Sequence, residues 1–172
     1  MSKAVNELIE TLNAEAALFE TFLDLLDRQR DMVVANDTDG LVQVTEAQRE
    51  KLAESKLLDR RRRELVELAG SENAISGDVN VARLLASVSH DDGTRLARVR
   101  DTILELSKQI EEGKERNRFL IDKSRELISS SLKSINRMTN PPEKGSAYTR
   151  PGPMNNKIHQ TNRISLALDK RI

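Results

Sequence analysis

Apolar side chains recur at steps of three and four through three long stretches of this chain, a rhythm that belongs to helices packed side by side. From Ser2 to about Ala35 the seam is Val5, Leu8, Leu12, Phe19, Phe22, Leu26 and Val33, widened by Ile9 and Leu23. A helix of that span is roughly 50 Å long. The side chains available to fill such seams narrow the choice further. Three Phe, one Tyr and no Trp in 172 residues cannot build the thick core of a sandwich or an α/β protein. Aliphatic residues with 33% charged side chains suit long helices instead. The expected fold is therefore all-α: an elongated antiparallel bundle of long helices over residues 1–138, with a flexible C-terminal tail over 139–172.

Punctuation along the chain supports that division. "ANDTDG" breaks the first helix, since Asn36, Asp37 and Asp39 are turn and capping residues. A second periodic segment runs from about Asp39 to Ala69 on a thinner seam of Leu41, Val44, Gln48, Leu58, Leu65 and Leu68, with Gly70 as its expected left-handed stop. "GSENAISGDV" reads as loop, and "NVARLLASV" as a short helix broken by "SHDDG". The last long helix is expected from near Asp92, with Leu96, Val99, Ile103, Leu106 and Ile110 in strict register. All four prolines fall at Pro141, Pro142, Pro151 and Pro153, which excludes helix there. Beyond them Ile164, Leu168 and Ile172 could line a short amphipathic helix. Tethered by about two dozen residues, that helix could fold back on an empty groove.

Several function classes lack their residues. There is no Cys, hence no disulfide or thiolate chemistry, which fits a reducing cytosol. His90 and His159 stand in a loop and in the tail with no carboxylate placed to orient them, and no phosphate-binding loop or metal-ligand cluster occurs. No catalytic residue, cofactor or metal is expected. The N-terminus is acidic where a signal peptide needs an apolar run, and no stretch approaches membrane-spanning length, so a cytoplasmic protein without membrane insertion is expected.

Net charge is zero from 28 basic and 28 acidic residues, but the tail from Thr139 is basic and the body mildly acidic. The run "DRRRRE" (Asp59 to Glu64) wraps around a helix and forms no flat basic face. Asp59 can pair with Arg63 and Arg60 with Glu64. Arg62 falls near the seam, where its stem can cover apolar surface while its head stays wet. No nucleic-acid partner is expected, for aromatics that could stack on bases are also scarce.

One seam is odd. Continued past Ile110, it falls on Gly113, Asn117, Leu120, Ser124, Leu127, Ser131 and Ser134, where a self-sufficient core would place leucine or isoleucine. Two readings stand side by side. The segment is a partly exposed helix end with a register-fixing polar layer such as a buried Asn, or it is a docking face for an amphipathic helix from a partner. A leucine-rich free face would self-associate, because each buried aliphatic side chain contributes on the order of 1.5–3 kcal/mol. A face diluted with Ser and Asn tolerates water while empty.

The pattern "N-R-x-L-I-x-x-S-x-x-L-I-x-x-S-L" from Asn117 to Leu132, the second helix around "LVQVTEAQREKL", and the pieces "GSAYTRPG" and "LALDKRI" resemble the FlgN family of flagellar export chaperones. The resemblance implies an all-α bundle with a mobile C-terminus. It implies a chaperone that binds hook-filament junction proteins (hook-associated proteins) by their terminal amphipathic helices, prevents premature assembly, and delivers them to the flagellar type III export gate. The matching client-binding residues are Asn117, Leu120, Ser124, Leu127, Ile128, Ser131 and Ile135, and the residue matching the family's gate-docking tyrosine is Tyr148. The rival expectation is a structural coiled-coil or adaptor protein whose long helices form a homo-oligomer and bind no export client.

Overall fold

A computed structural model describes residues 3–75 and 77–139, and everything in them that is regular is helix. Helix α1 spans Lys3–Ala35, α2 Thr38–Glu72, α3 Val81–Leu85 and α4 His90–Thr139. The segment from residue 140 onward, with Tyr148 and the expected tail helix, lies outside the described residues.

The chain reverses between α1 and α2 in two residues. Asn36 takes the left-handed conformation (φ 55°). Its N–H donates to the Val33 carbonyl at 3.2 Å, and that of Asp37 to Met32 at 2.9 Å. These two bonds close the end of α1. Asp37 then serves the next helix, its carboxylate accepting from Gly40 N–H at 2.9 Å. The expected break is thus present and tighter than its six-residue signature implied.

Gly70 does not stop α2. The helix runs two residues further, and the left-handed position belongs to Ala74 (φ 54°). Ile75 N–H donates to Gly70 at 3.0 Å and Ala74 N–H to Ser71 at 3.2 Å. Gly70 serves packing instead. A Cβ there would lie 2.6 Å from Val79 Cγ2, so its bare backbone lets the returning chain pack against the helix. The connection continues into α3, whose N-cap Asn80 accepts from Arg83 N–H at 2.9 Å. Val81 and Leu84 of α3 are fully buried. Helix α4 begins two residues ahead of Asp92, because Ser89 caps it: Ser89 Oγ accepts from Asp92 N–H and donates to the Asp92 carboxylate at 2.9 Å.

Helix α1 is the central element, with α2 and α4 packed along it and α3 joining those two at one end. Arg95 meets Asn6, and Gly113 packs on Leu26, so α4 runs in the same direction as α1. Glu15 opposes Arg62 and Gln29 opposes Gln48, so α2 runs against it. The result is an elongated up-down-up bundle. One core joins Val5, Leu8, Leu12, Phe19, Phe22 and Leu26 of α1 to Leu65, Val66 and Ala69 of α2 and to Leu96, Val99, Ile103, Leu106 and Ile110 of α4. The core-facing positions expected for α1 and for the first half of α4 are largely those observed, whereas Leu68 of α2 is exposed at 51%.

Candidate functional site

The register between α1 and α4 decides what the polar half of the α4 seam can do. Asn117 Nδ2 donates to the Leu26 carbonyl at 2.7 Å and to Gln29 Oε1 at 2.9 Å. Gln29 Nε2 in turn donates to Gln48 Oε1 at 3.2 Å. Amides from all three long helices therefore form one layer, and Asn117 is buried in it. This is the register-fixing reading of the seam, realised at a single position.

Above that layer the bundle runs out. With Leu26 level with residues 113–117, the end of α1 at Ala35 comes level with about residue 124. Leu120, Ile121 and Ser124 are half-buried at this rim, and every residue from Arg125 to Thr139 is exposed. About 15 residues of α4, roughly 22 Å of helix, project beyond the hairpin of α1 and α2. The projecting part carries Leu127 (68% exposed), Ile128, Leu132, Ile135 and Met138.

These side chains are not scattered. At about 100° per residue, the apolar residues from Leu120 to Met138, with Ser124 and Ser131, fall in a sector about 140° wide. The same sector, followed down the helix, holds Val99, Ile103, Leu106 and Ile110, which α1 covers. The face left open is thus the continuation of the one that builds the core. Of the seven residues matched to a client face, Asn117 belongs to the bundle, Leu120 and Ser124 form the rim, and Leu127, Ile128, Ser131 and Ile135 lie on the open stretch. Leu132 and Met138 share the stripe and were absent from the sequence-based set, although their spacing from Ile128 and Ile135 carries the signal.

A second cluster lies in mid-bundle. The Arg62 side chain, expected to keep its head in water, is only 6% exposed. Its guanidinium pairs with Asp59 on its own helix and faces Glu15 of α1, with Nε 3.5 Å from Oε2. The latter contact is an ion pair without hydrogen-bond geometry. Arg63 holds the other Asp59 oxygen at 2.7 Å, as its spacing predicted. Arg60 was expected to take Glu64, which instead pairs with Arg61 at 3.5 Å. Burial raises the Glu15 pKa above the usual carboxylate value against the pull of Arg62, and the charge of Asp59 adds to the rise. The signal for this cluster was legible: Glu15 sits on the α1 seam between Leu12 and Phe19, at the three-four spacing. Among the described residues no group of three or more His, Asp or Glu could hold a metal ion, and no helix is long and apolar enough to cross a membrane.

The model of the family described as FlgN protein matches residues 1–156. No curated protein and no solved structure matches the chain.

Proposed function

The chain belongs to the FlgN family, a family of flagellar export chaperones, and we propose that it holds the terminal amphipathic helices of hook-filament junction proteins on the open face of α4. In this reading it works in the cytoplasm, keeps those helices from assembling early, and brings them to the type III export gate. Tyr148 is the proposed gate contact by its place in the family's motif. The single observation that supports the client face is the seam itself. It is covered by α1 as far as Asn117 and continues without cover through Leu127, Ile128, Ile135 and Met138.

The composition of that stretch suits reversible holding. Ser124, Ser131 and Ser134 let a second helix approach closely, while the flanking Leu and Ile supply anchors. Each anchor that a client buries contributes on the order of 1.5–3 kcal/mol before ordering costs. A few such anchors suffice for affinity without making the empty face aggregate.

Calorimetric titration with the C-terminal segment of a hook-filament junction protein tests the reading. The full-length chain should bind it with submicromolar affinity. Leu127→Asp/Ile128→Asp, on exposed positions away from the core, should abolish binding and leave thermal unfolding unchanged. A truncation after Met138 should keep binding. Failure of the full-length chain to bind, together with a stable oligomer in solution, would replace the chaperone with the coiled-coil alternative.

A further inference from the structure

Zero net charge conceals a strong separation along the molecule. Residues 1–117, which make up the braced bundle, hold seventeen Lys or Arg against twenty-four Asp or Glu, a net of −7. Residues 118–139 carry Arg118, Lys123, Arg125, Lys133 and Arg137 against Asp122 and Glu126, a net of +3. The open apolar stripe is therefore mounted on a cationic arm of α4, which lies beside the anionic body as far as Ser124 and projects beyond it from Arg125.

Cations flank the stripe on both sides, and the two nearest to it that make no ion pair stand together at one edge. Arg118 and Arg125 stand within about 40° of its edge at Leu132. Lys133 follows on the same side and, with Arg125, Ile128, Ser129, Leu132 and Asn136, lines a shallow hollow beside the stripe. Arg118, Arg125 and Lys133 are all exposed, and none is in an ion pair among the described residues. Of the two carboxylates, Asp122 lies between Arg125 and Lys133 around the helix, and Glu126 lies beyond Lys133, held by Lys123 at 2.8 Å. Two cations without an ion pair, Arg118 and Arg125, thus border the apolar face, and Lys133 stands behind them within reach of the same hollow.

We infer that the arm selects, among amphipathic helices, those whose apolar stripe is bordered by Asp or Glu. The inference rests on the client-helix reading above and deepens it. An acidic border places its carboxylates opposite Arg118, Arg125 and Lys133 while the apolar stripes meet. The anionic bundle repels the same helix, which keeps it on the arm. A helix with a basic border meets the opposite conditions. The sequence Arg163–Ile172 of the chain itself, with Arg163, Lys170 and Arg171 against Asp169, carries that disfavoured charge. So does a second copy of the arm, whose +3 charge opposes pairing with its like.

The test uses two synthetic helical peptides with identical Leu and Ile stripes, one bordered by Glu and one by Lys, titrated against the full-length chain. Three exposed charge pairs of ordinary strength amount to about a tenfold preference for the Glu peptide at low salt. That preference should shrink as salt screens it. Arg118→Glu/Arg125→Glu/Lys133→Glu, checked for unchanged helix content by circular dichroism, should reverse the order of the two peptides. Equal affinities, or a preference for the Lys peptide, would overturn the charge selection and leave the chaperone reading standing. Binding of neither peptide would overturn both. Retention on vesicles of phosphatidylserine and phosphatidylcholine in equal parts as tight as on the Glu peptide would make the arm a membrane-facing cationic helix and overturn the inference.

Discussion

Replacing Arg62 by methionine removes one charge from the middle of the bundle while keeping most of the stem that packs there. Two carboxylates then lose their shared partner: Glu15, 4% exposed, and Asp59, 11% exposed. Breaking a buried ion pair from one side typically destabilises by about 3–5 kcal/mol. Two features place this case near the lower end. Arg63 still reaches Asp59 at 2.7 Å, and Glu15 can take a proton, towards which burial already inclines it. The expected loss is therefore about 3 kcal/mol at neutral pH, a fall in Tm of roughly 6–12 °C for a chain of this size. Urea unfolding followed by far-ultraviolet circular dichroism gives the difference directly, provided the m value is unchanged. The double variant Arg62→Met/Glu15→Leu should recover most of the loss, because replacing the partners together leaves no charge stranded on α1. A single variant within about 0.5 kcal/mol of the parent, the range of ordinary surface substitutions, would refute the argument. It would mean that the guanidinium reaches water, as a lone arginine near a seam does by snorkelling.

Glu15→Gln probes the same layer through pH. A folded-state pKa above the unfolded value means that the folded chain binds the extra proton. Glu15 therefore favours folding below its unfolded pKa, and that advantage disappears as pH rises through the raised folded value. The Gln variant should accordingly gain on the parent as pH rises across this window and lose that gain in acid, measured as urea midpoints over a pH series. Asn117→Leu removes bonds to the Leu26 carbonyl and Gln29 and should cost about 1–3 kcal/mol in the same assay. Ala74→Gly should stabilise by about 1 kcal/mol, since Ala74 holds a left-handed backbone. Gly70→Ala should destabilise by about 1–3 kcal/mol through its clash with Val79, the reverse of what a helix-stopping glycine would show.

Legibility in the sequence followed how completely a helix face was apolar. Helix α1 and the first half of α4 have nearly unbroken seams, so their cores could be read from spacing alone. Helix α2 hid its inward face because Gln48, Ser55, Asp59 and Arg62 occupy it alongside Leu52, Val66 and Ala69. A reading that follows grease picks the exposed Leu68, and it sets Arg62 near the seam but leaves its buried head in water. Gly70 misled for a related reason, because its defining neighbour, Val79, arrives from a later loop and leaves no mark in the local sequence. The open face was half-legible. Its period and its serines were visible, but the point where cover ends depends on the level at which Asn117 meets Leu26, which only the packing of α4 on α1 sets.

The length of α4 has a consequence for how its far end behaves. An isolated helix of about 15 residues rich in serine would be marginal in water, since starting its first turn is unfavourable. Here that start is made inside the bundle, and the projecting turns simply extend a ladder already begun. Opening must then proceed inward from Thr139, one turn at a time, towards the amide layer at Asn117. Amide exchange along α4 should show a slope of protection, steep near Leu120 and vanishing by Met138, and a bound helix would flatten that slope without creating any new element.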